Sequence, residues 1–352
     1  MNNLQLALAL LGAVVLAAVV AHGAWTSRRS RPKQAEPQAD GPNPSTLDFS
    51  LPHSADAAEP PEGAADQVSG FEPVALPKRE AGLDPLIDVI APISFEAVVS
   101  GEAALAALPT TRRVGTKPFA LEGLSAATGL WEVPAAGQRY SAFQAGIQLA
   151  NRVGAMNQIE FSEFVTRTRQ FADAIGGEAE FPDMLEEVAR ARELDQFAGA
   201  HDAQLSFTLR ARKAAWSPGY VQQQAARLGF VAGVIPGRMV VPAKVDGQPP
   251  ILVLSFDAQA ALADEPDKAA LRQIVLSLDV PQVAQEDKPF ERMCEVALAL
   301  AASMEGAITD DNGNPIRADS MDSIHADLQQ LYETLQLRDL PAGSELCRRL
   351  FS

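Results

Sequence analysis

The chain has 352 residues, of which 47% are hydrophobic and 21% are charged. This length is sufficient for about two folded domains, and the hydrophobic content excludes a wholly disordered chain. The formal net charge is -16, from 29 basic and 45 acidic residues. A chain this acidic would repel a phosphate backbone, so we expect no nucleic-acid partner. Two cysteines, Cys294 and Cys347, are too few for a disulfide framework.

The first predicted element is an uncharged apolar run at residues 4–25. About 22 helical residues at 1.5 Å each span a ~30 Å hydrocarbon core, which predicts a transmembrane helix. A cleaved signal peptide is the alternative, but it needs a basic segment before the apolar run. The basic residues instead follow the run, at Arg28, Arg29, Arg31 and Lys33. This asymmetry predicts a single-pass protein with its N-terminus outside and its bulk in the cytoplasm.

Residues 26–84 have the composition of a disordered linker. They hold nine of the 25 prolines and two aromatic residues, Phe49 and Phe71. Such a segment cannot bury enough apolar area to offset the entropy of ordering it. We therefore predict a flexible tether between the span and the folded part.

Regular patterns begin after this tether, and the same order of elements occurs twice. The first half, residues 85–200, is predicted to contain strands at 86–95, 112–121, 130–133 and 140–153, and helices at 100–108, 161–175 and 182–194. The second half, residues 201–340, is predicted to contain strands at 204–211, 230–241, 251–256 and 273–280, and helices at 217–228, 289–304 and 319–336. Residues 341–352 are predicted to be a C-terminal tail.

Residue matches between the halves indicate an internal repeat. At one constant offset, Leu149, Phe161, Ala172 and Gly177 correspond to Leu278, Phe290, Ala301 and Gly306. At a slightly smaller offset, Ser100 corresponds to Ser217. These matches predict two tandem similar domains. The alternative is that a common α/β order recurs without duplication.

The motifs of the common enzyme classes do not occur in the sequence. There is no Walker A motif, no G-x-G-x-x-G after a strand, no G-x-S-x-G and no H-E-x-x-H. Asp310, Asn312 and Asn314 alternate as calcium ligands do, but Pro315 replaces the required glycine and Met321 the bidentate glutamate. Residues 310–314 instead predict a hairpin turn. We expect no catalytic residue, no metal, no cofactor and no small-molecule substrate.

The C-terminal half carries a more specific pattern. A strand ends at Val280-Pro281, a helix begins near Phe290 and Gly306 ends it, and a turn follows at Asp310-Asp311 before a last helix. With the layout of span and Pro-rich linker, this pattern resembles the ZipA family, division proteins that tie the FtsZ ring to the bacterial inner membrane. The resemblance covers the span by layout and about residues 202–337 by motif. Residues 86–200 have no counterpart in the usual ZipA layout.

The resemblance implies an α+β fold, in which an antiparallel sheet has helices on one face and a shallow apolar groove on the other. That groove receives the C-terminal tail of FtsZ in the family. Four candidate anchors lie on one face of the strand at 251–256 and beyond it, and two more lie nearby: Leu252, Leu254, Phe256, Ala258, Ile235 and Met239. Arg238 and Lys244 are candidates for a basic rim. The alternative interpretation is ordinary strand residues and solvated charges.

The sequence thus predicts a non-enzymatic adaptor of the cell inner membrane, with its N-terminus in the periplasm and membrane lipid and the FtsZ tail as its partners. Two alternatives remain open. One is an adaptor for a different peptide-bearing partner, and the other is an unrecognised membrane-tethered hydrolase. A cleft with convergent titratable side chains would favour the hydrolase, whereas a shallow apolar strip on an open sheet face would favour an adaptor.

Overall fold

The computed structural model describes residues 33–34, 82–263, 265, 269–310 and 313–352. The predicted span at residues 4–25 and most of the predicted tether lie outside this part of the chain. Within it, no helix has both the length and the apolar character needed to cross a membrane. The fold is mixed α/β, with antiparallel sheets and helices.

The first half is built on a seven-stranded sheet whose main path is β3-β4-β6-β1-β9. Its strands are β1 (Asp88–Ser94), β2 (Val99–Ser100), β3 (Arg113–Val114), β4 (Lys117–Ser125), β5 (Trp131–Glu132), β6 (Arg139–Gln148) and β9 (Glu178–Ala179), and a separate pair is formed by β7 (Ala150–Asn151) and β8 (Gly154–Ala155). Its helices are α1 (Gly101–Ala107), α2 (Gln158–Ile175) and α3 (Met184–His201).

The second half is built on a six-stranded sheet in the order β11-β12-β13-β14-β10-β15. Its strands are β10 (Gln204–Ala211), β11 (Val231–Ala232), β12 (Arg238–Val241), β13 (Leu252–Ser255), β14 (Gln273–Asp279) and β15 (Gly306–Thr309). Its helices are α4 (Pro218–Ala226), α5 (Ala258–Ala261), α6 (Pro289–Met304) and α7 (Ala318–Leu337), and α8 (Glu345–Leu350) lies near the C-terminus.

The two halves share their strand pairing as well as their order of elements. β1 pairs with β6 on one side and β9 on the other, and β10 pairs in the same way with β14 and β15. The helix after each of these first strands begins at a matched serine, because Ser100 and Ser217 both cap their helices through the side-chain oxygen. Duplication of one ancestral domain remains a prediction that this common topology favours.

Each sheet buries one face in its own apolar core. Alternate residues of β1, such as Val89 and Ala91, join Phe164 and Phe171 of α2 in the first core. In the second core, Leu276 of β14 joins residues of α4, α6 and α7. Because side chains alternate along a strand, the other face of each sheet carries the residues in between.

The C-terminal segment connects the second half back to the first core. Leu340, Cys347, Leu350 and Phe351 belong to the first core although they follow the second sheet. The Gln282 amide donates to the carbonyl oxygen of Phe351 at 2.7 Å, which fixes the segment to the second half as well. The predicted tail at residues 341–352 therefore contains α8 and joins the two halves.

A short part of the predicted tether also contacts the second half. Lys33 forms a parallel bridge with Trp216, and its carbonyl oxygen accepts the backbone N–H of Ser217 at 2.8 Å. Its ammonium lies 3.2 Å from a carboxylate oxygen of Glu305. The predicted tether of residues 26–84 thus touches the folded part at residue 33, and its last three residues lie against the first half.

Three predicted strands are divided in the structure. Residues 112–121 contain β3 and the first part of β4, and residues 140–153 contain most of β6 and then β7, which belongs to a separate pair. The predicted strand at residues 230–241 is a hairpin of β11 and β12, because the chain turns between them at Gly237, whose φ is +75°. That left-handed conformation favours glycine, which has no Cβ to clash. The two ends of the predicted turn at residues 310–314 are joined, because Asp310 donates its backbone N–H to the Asn314 carbonyl oxygen at 2.9 Å, while residues 311 and 312 lie outside the described part of the chain.

Candidate functional site

The face of the second sheet that points away from the core forms a continuous surface, called here the open face. Register places Val231, Val240, Val253, Ser277 and Ser206 side by side across β11, β12, β13, β14 and β10. Residues paired across antiparallel strands project to the same side. A row of three valines followed by two serines therefore crosses the open face.

A second row runs parallel to the first. It comprises Arg238, Ser255, Val275, Thr208 and Thr309, again joined by register. The valines of the two rows are half-buried within the sheet, except Val231, which is 50% exposed. The apolar strip of the open face therefore consists of the three valines of the first row, and Arg238 and Ser255 of the second row lie beside it.

Two shallow hollows lie along this strip and share Arg238 and Pro250 as lining residues. One hollow of about 400 Å³ lies at the β11–β12 hairpin, where Val234, Ile235 and Val245 line it. The other, of about 630 Å³, crosses β13, β14 and β10. Together they form an open groove of the kind that accepts an extended peptide.

The far end of the groove is built partly by the first half. Arg152, in the turn between β7 and β8, lines it together with Phe351 and Ser352. Its guanidinium lies 2.6 Å from a carboxylate oxygen of Asp202 and 2.7 Å from one of Asp279. Hydrogen bonds to these two carboxylates raise the pKa of Arg152 above its ordinary value. This end of the groove is therefore a fixed ionic cluster rather than an apolar wall.

The principal predicted anchors lie on the opposite face. Leu252 and Leu254 are fully buried, and Met239 is 5% exposed, in the second core. A peptide on the open face cannot reach these side chains. The prediction that their strand face is the groove is therefore wrong, because this face packs against α4, α6 and α7.

The other predicted residues are divided between core and surface. Phe256 follows β13 and packs partly buried against the second core, while Ala258 is the exposed first residue of α5. Ile235 and Arg238 both line the hollow at the hairpin. Lys244 is exposed beyond it, and its ammonium lies 2.6 Å from a carboxylate oxygen of Asp287. Only the part of the predicted set near the hairpin meets the groove.

The sequence pattern did not indicate Val240 and Val253, which form the apolar floor of the groove. Residues 251–254 are all apolar, so alternation along this strand could not distinguish its two faces. Register with β14 supplies the missing information, because Val253 pairs with Ser277 and Leu254 with the buried Leu276. The polar residues Gln273, Ser277 and Asp279 alternate along β14 with buried apolar residues, and this alternation would have indicated the open face.

The described residues hold no group of three or more His, Cys, Asp or Glu side chains placed to bind a metal ion. Burial is the largest effect on both thiols, and it raises the pKa of Cys294 to about 11 and that of Cys347 to about 12. Neither cysteine therefore has the lowered pKa of a reactive nucleophile.

Comparisons with known proteins give one family match. Among solved structures, a berberine bridge enzyme from Eschscholzia californica aligns at 9% identity and a TM-score of 0.15, over 74% of this chain and 51% of that one. The chain thus spans about half of that enzyme, and the likeness is too low to indicate a common fold. No curated protein matches the chain. Residues 259–327 match the family described as ZipA, C-terminal FtsZ-binding domain, from within α5 to within α7. Over this part of its second half, the chain is therefore similar to the FtsZ-binding domain of ZipA.

Proposed function

We propose that the chain is a non-enzymatic adaptor of cell division that binds the C-terminal tail of FtsZ in the groove on the open face. The family match carries this proposal, since the matched domain is an FtsZ-binding one. The matched region includes β14, which contributes Val275 and Ser277 to the open face. A shallow apolar strip is a surface suited to a peptide, and the charged groups at the far end of the groove are paired with one another.

The groove offers two kinds of contact to a peptide. Apolar peptide side chains would cover Val240 and Val253, which lie side by side on the strip. Arg238, at the junction of the two hollows, would attract acidic residues of the peptide and orient it along the strip. A groove this open gives modest affinity, on the order of 1 μM or about -8 kcal/mol. A filament that displays many tails to many anchored copies would strengthen the attachment through avidity.

We further propose that residues 4–25 anchor the chain in the inner membrane, with the folded part in the cytoplasm. This rests on the apolar run and on the basic residues that follow it. The adaptor would then link two partners, membrane lipid through the span and FtsZ through the groove.

Substituting Val253→Asp is expected to weaken binding of the FtsZ tail peptide by about 30-fold, or on the order of 2 kcal/mol. The reason is that a carboxylate in the floor of the groove removes apolar contact and must lose its hydration when the peptide covers it. Fluorescence anisotropy with a labelled tail peptide and the full chain measures the effect.

The matched control is Val98→Asp, the same chemical change at a valine that is 52% exposed on the first half. It should bind the tail peptide as the unsubstituted chain does. Thermal melting of both variants establishes that they fold. Normal binding by a folded Val253→Asp chain would show that the FtsZ tail does not bind on the open face.

A reporter enzyme fused after Ser352 is expected to be active in the cytoplasm, because Arg28, Arg29 and Arg31 resist translocation across the membrane. The reciprocal control is the same reporter fused before Met1, which should be active in the periplasm. Alkaline phosphatase and a cytoplasmic fluorescent protein distinguish the two sides. Phosphatase activity from the C-terminal fusion would contradict the proposed topology.

A further inference from the structure

The face of the first sheet that corresponds to the open face is covered by the chain itself. Residues 82–84, called here the leading segment, come immediately before the first half and lie across this face. One carboxylate oxygen of Glu122, on β4, accepts the backbone N–H groups of both Gly82 and Leu83, the latter at 3.0 Å. The other oxygen accepts the Gln144 amide at 2.8 Å. Glu122 is 2% exposed, so the leading segment shields it from water.

The Leu83 side chain fills a place that the sheet leaves vacant. It lies directly against Gly146 of β6, where an added Cβ would overlap both methyl groups of the leucine. Register places Gly146 between Ile90 of β1 and Ala120 of β4. A glycine between small or half-buried neighbours forms a shallow socket for one apolar side chain.

Arg349 of the C-terminal helix α8 also binds the leading segment. Arg349 donates to the carbonyl oxygen of Gly82, and its other terminal nitrogen lies 2.6 Å from a carboxylate oxygen of Asp88. Asp84 donates its backbone N–H to the second oxygen of Asp88 at 2.9 Å. The leading segment is thus bound through its backbone on two sides and through one apolar side chain, as a bound peptide is.

The face under the leading segment can be compared with the open face of the second sheet, because the strands of the two sheets pair in the same order. β6 lies between β1 and β4 as β14 lies between β10 and β13. The faces that point away from the two cores are therefore equivalent surfaces. In the second half this surface is the groove, and in the first half the leading segment covers it.

We propose that this face of the first sheet is a second peptide-binding groove, which the chain fills with its own leading segment. The peptide that it fits is extended and presents two consecutive backbone N–H groups to Glu122 and a leucine to Gly146. Proline is excluded at those two positions because it has no N–H. Of these two equivalent faces, the one on the second half is then free for a partner. This inference rests on contacts within the first half and does not depend on FtsZ as the partner of the second.

The test uses the full chain and a fluorescent synthetic peptide of its own residues 79–86. Leu83→Asp removes the apolar contact of the leading segment and should vacate the socket. The variant is expected to bind the peptide at least tenfold more tightly than the unsubstituted chain, in which the tethered segment competes at an effective concentration in the millimolar range. A peptide with aspartate at the position of Leu83 is the control and should not bind.

A second substitution locates the binding. Adding Gly146→Leu to the Leu83→Asp chain fills the socket and should abolish binding of the peptide. Failure of the folded Leu83→Asp chain to bind, or equal binding by the unsubstituted chain, would overturn the proposal. Retained binding after Gly146→Leu would also overturn it.

Hydrogen exchange provides a measurement that does not require Leu83→Asp to fold. In the unsubstituted chain the amides of Gly82 and Leu83 should be protected, and Glu122→Gln should speed their exchange at least tenfold without changing that of the β6 amides. Exchange of both amides at the rate of an unstructured peptide in the unsubstituted chain would show that the groove is not filled.

Discussion

Replacing Arg349 by methionine is expected to destabilise the chain by about 3–5 kcal/mol at neutral pH, since it leaves a buried carboxylate without its cation. Asp88 has a fully buried side chain, and Arg349 lies 2.6 Å from it. Methionine keeps much of the length and apolar surface of the arginine stem, so the change acts mainly on charge. Urea unfolding at pH 7 measures the free energy.

The control for this variant is Arg338→Met. Arg338 lies 2.9 Å from Glu193, but both side chains are more than a third exposed. Exposed pairs contribute about 1 kcal/mol at most, because water screens them. Equal destabilisation by the two substitutions would show that Arg349 and Asp88 are not a buried pair that joins the C-terminal helix to the first sheet.

The effect of Arg349→Met should depend on pH in a defined direction. Burial raises the pKa of Asp88 above its ordinary value of 3.8, and this outweighs the lowering by Arg349. The stability that Asp88 contributes by binding its proton is complete below pH 3.8 and is lost as the pH rises through the folded-state value. Without Arg349 that pKa rises further. The destabilisation by Arg349→Met should therefore shrink as the pH falls and Asp88 becomes protonated, and a constant difference across this range would contradict the assignment.

Leu254→Ala is expected to cost about 2–5 kcal/mol of stability, the range for a leucine removed from a packed core. Leu254 is fully buried in the second core. Its neighbour Val253 lies on the open face, so Val253→Ala should cost about 1 kcal/mol or less, because it removes less apolar area from a half-buried site. Urea unfolding of the two variants compares the two faces of one strand.

The same two substitutions should affect binding of the FtsZ tail in the opposite order to their effects on stability. Val253→Ala is expected to weaken it, whereas a folded Leu254→Ala chain should bind almost normally because Leu254 does not reach the groove. If Leu254→Ala abolished binding without loss of stability, the groove would lie on the face that the structure places in the core.

Local signals in the sequence predicted the longer helices close to the positions that they occupy in the structure. α6 was predicted over the residues it occupies, because Pro289 suits the first helical position and Gly306 follows the last turn. The strands of the second sheet were also located, apart from the turn at Gly237 and from β15, which was not predicted as a strand. These features depend on residues close in sequence, and periodicity and capping report them directly.

Features that depend on distant contacts could not be predicted in this way. The floor of the groove required the register of Val253 with Ser277, more than twenty residues away. The six-residue α8 is too short for a periodic signal. Its apolar residues pack in the first core, most of whose residues lie more than one hundred positions earlier in the chain. The contact of Leu83 with Gly146 depends on the same kind of long-range pairing.

Titration of the full chain with the C-terminal tail peptide of FtsZ, followed by NMR chemical shifts, tests the proposed function most directly. The structure and the family match lead us to expect saturable binding of one peptide per chain, with the largest shifts at Val240 and Val253. Absence of binding at millimolar peptide, or shifts confined to the first half, would contradict an adaptor that holds FtsZ on the open face of the second sheet.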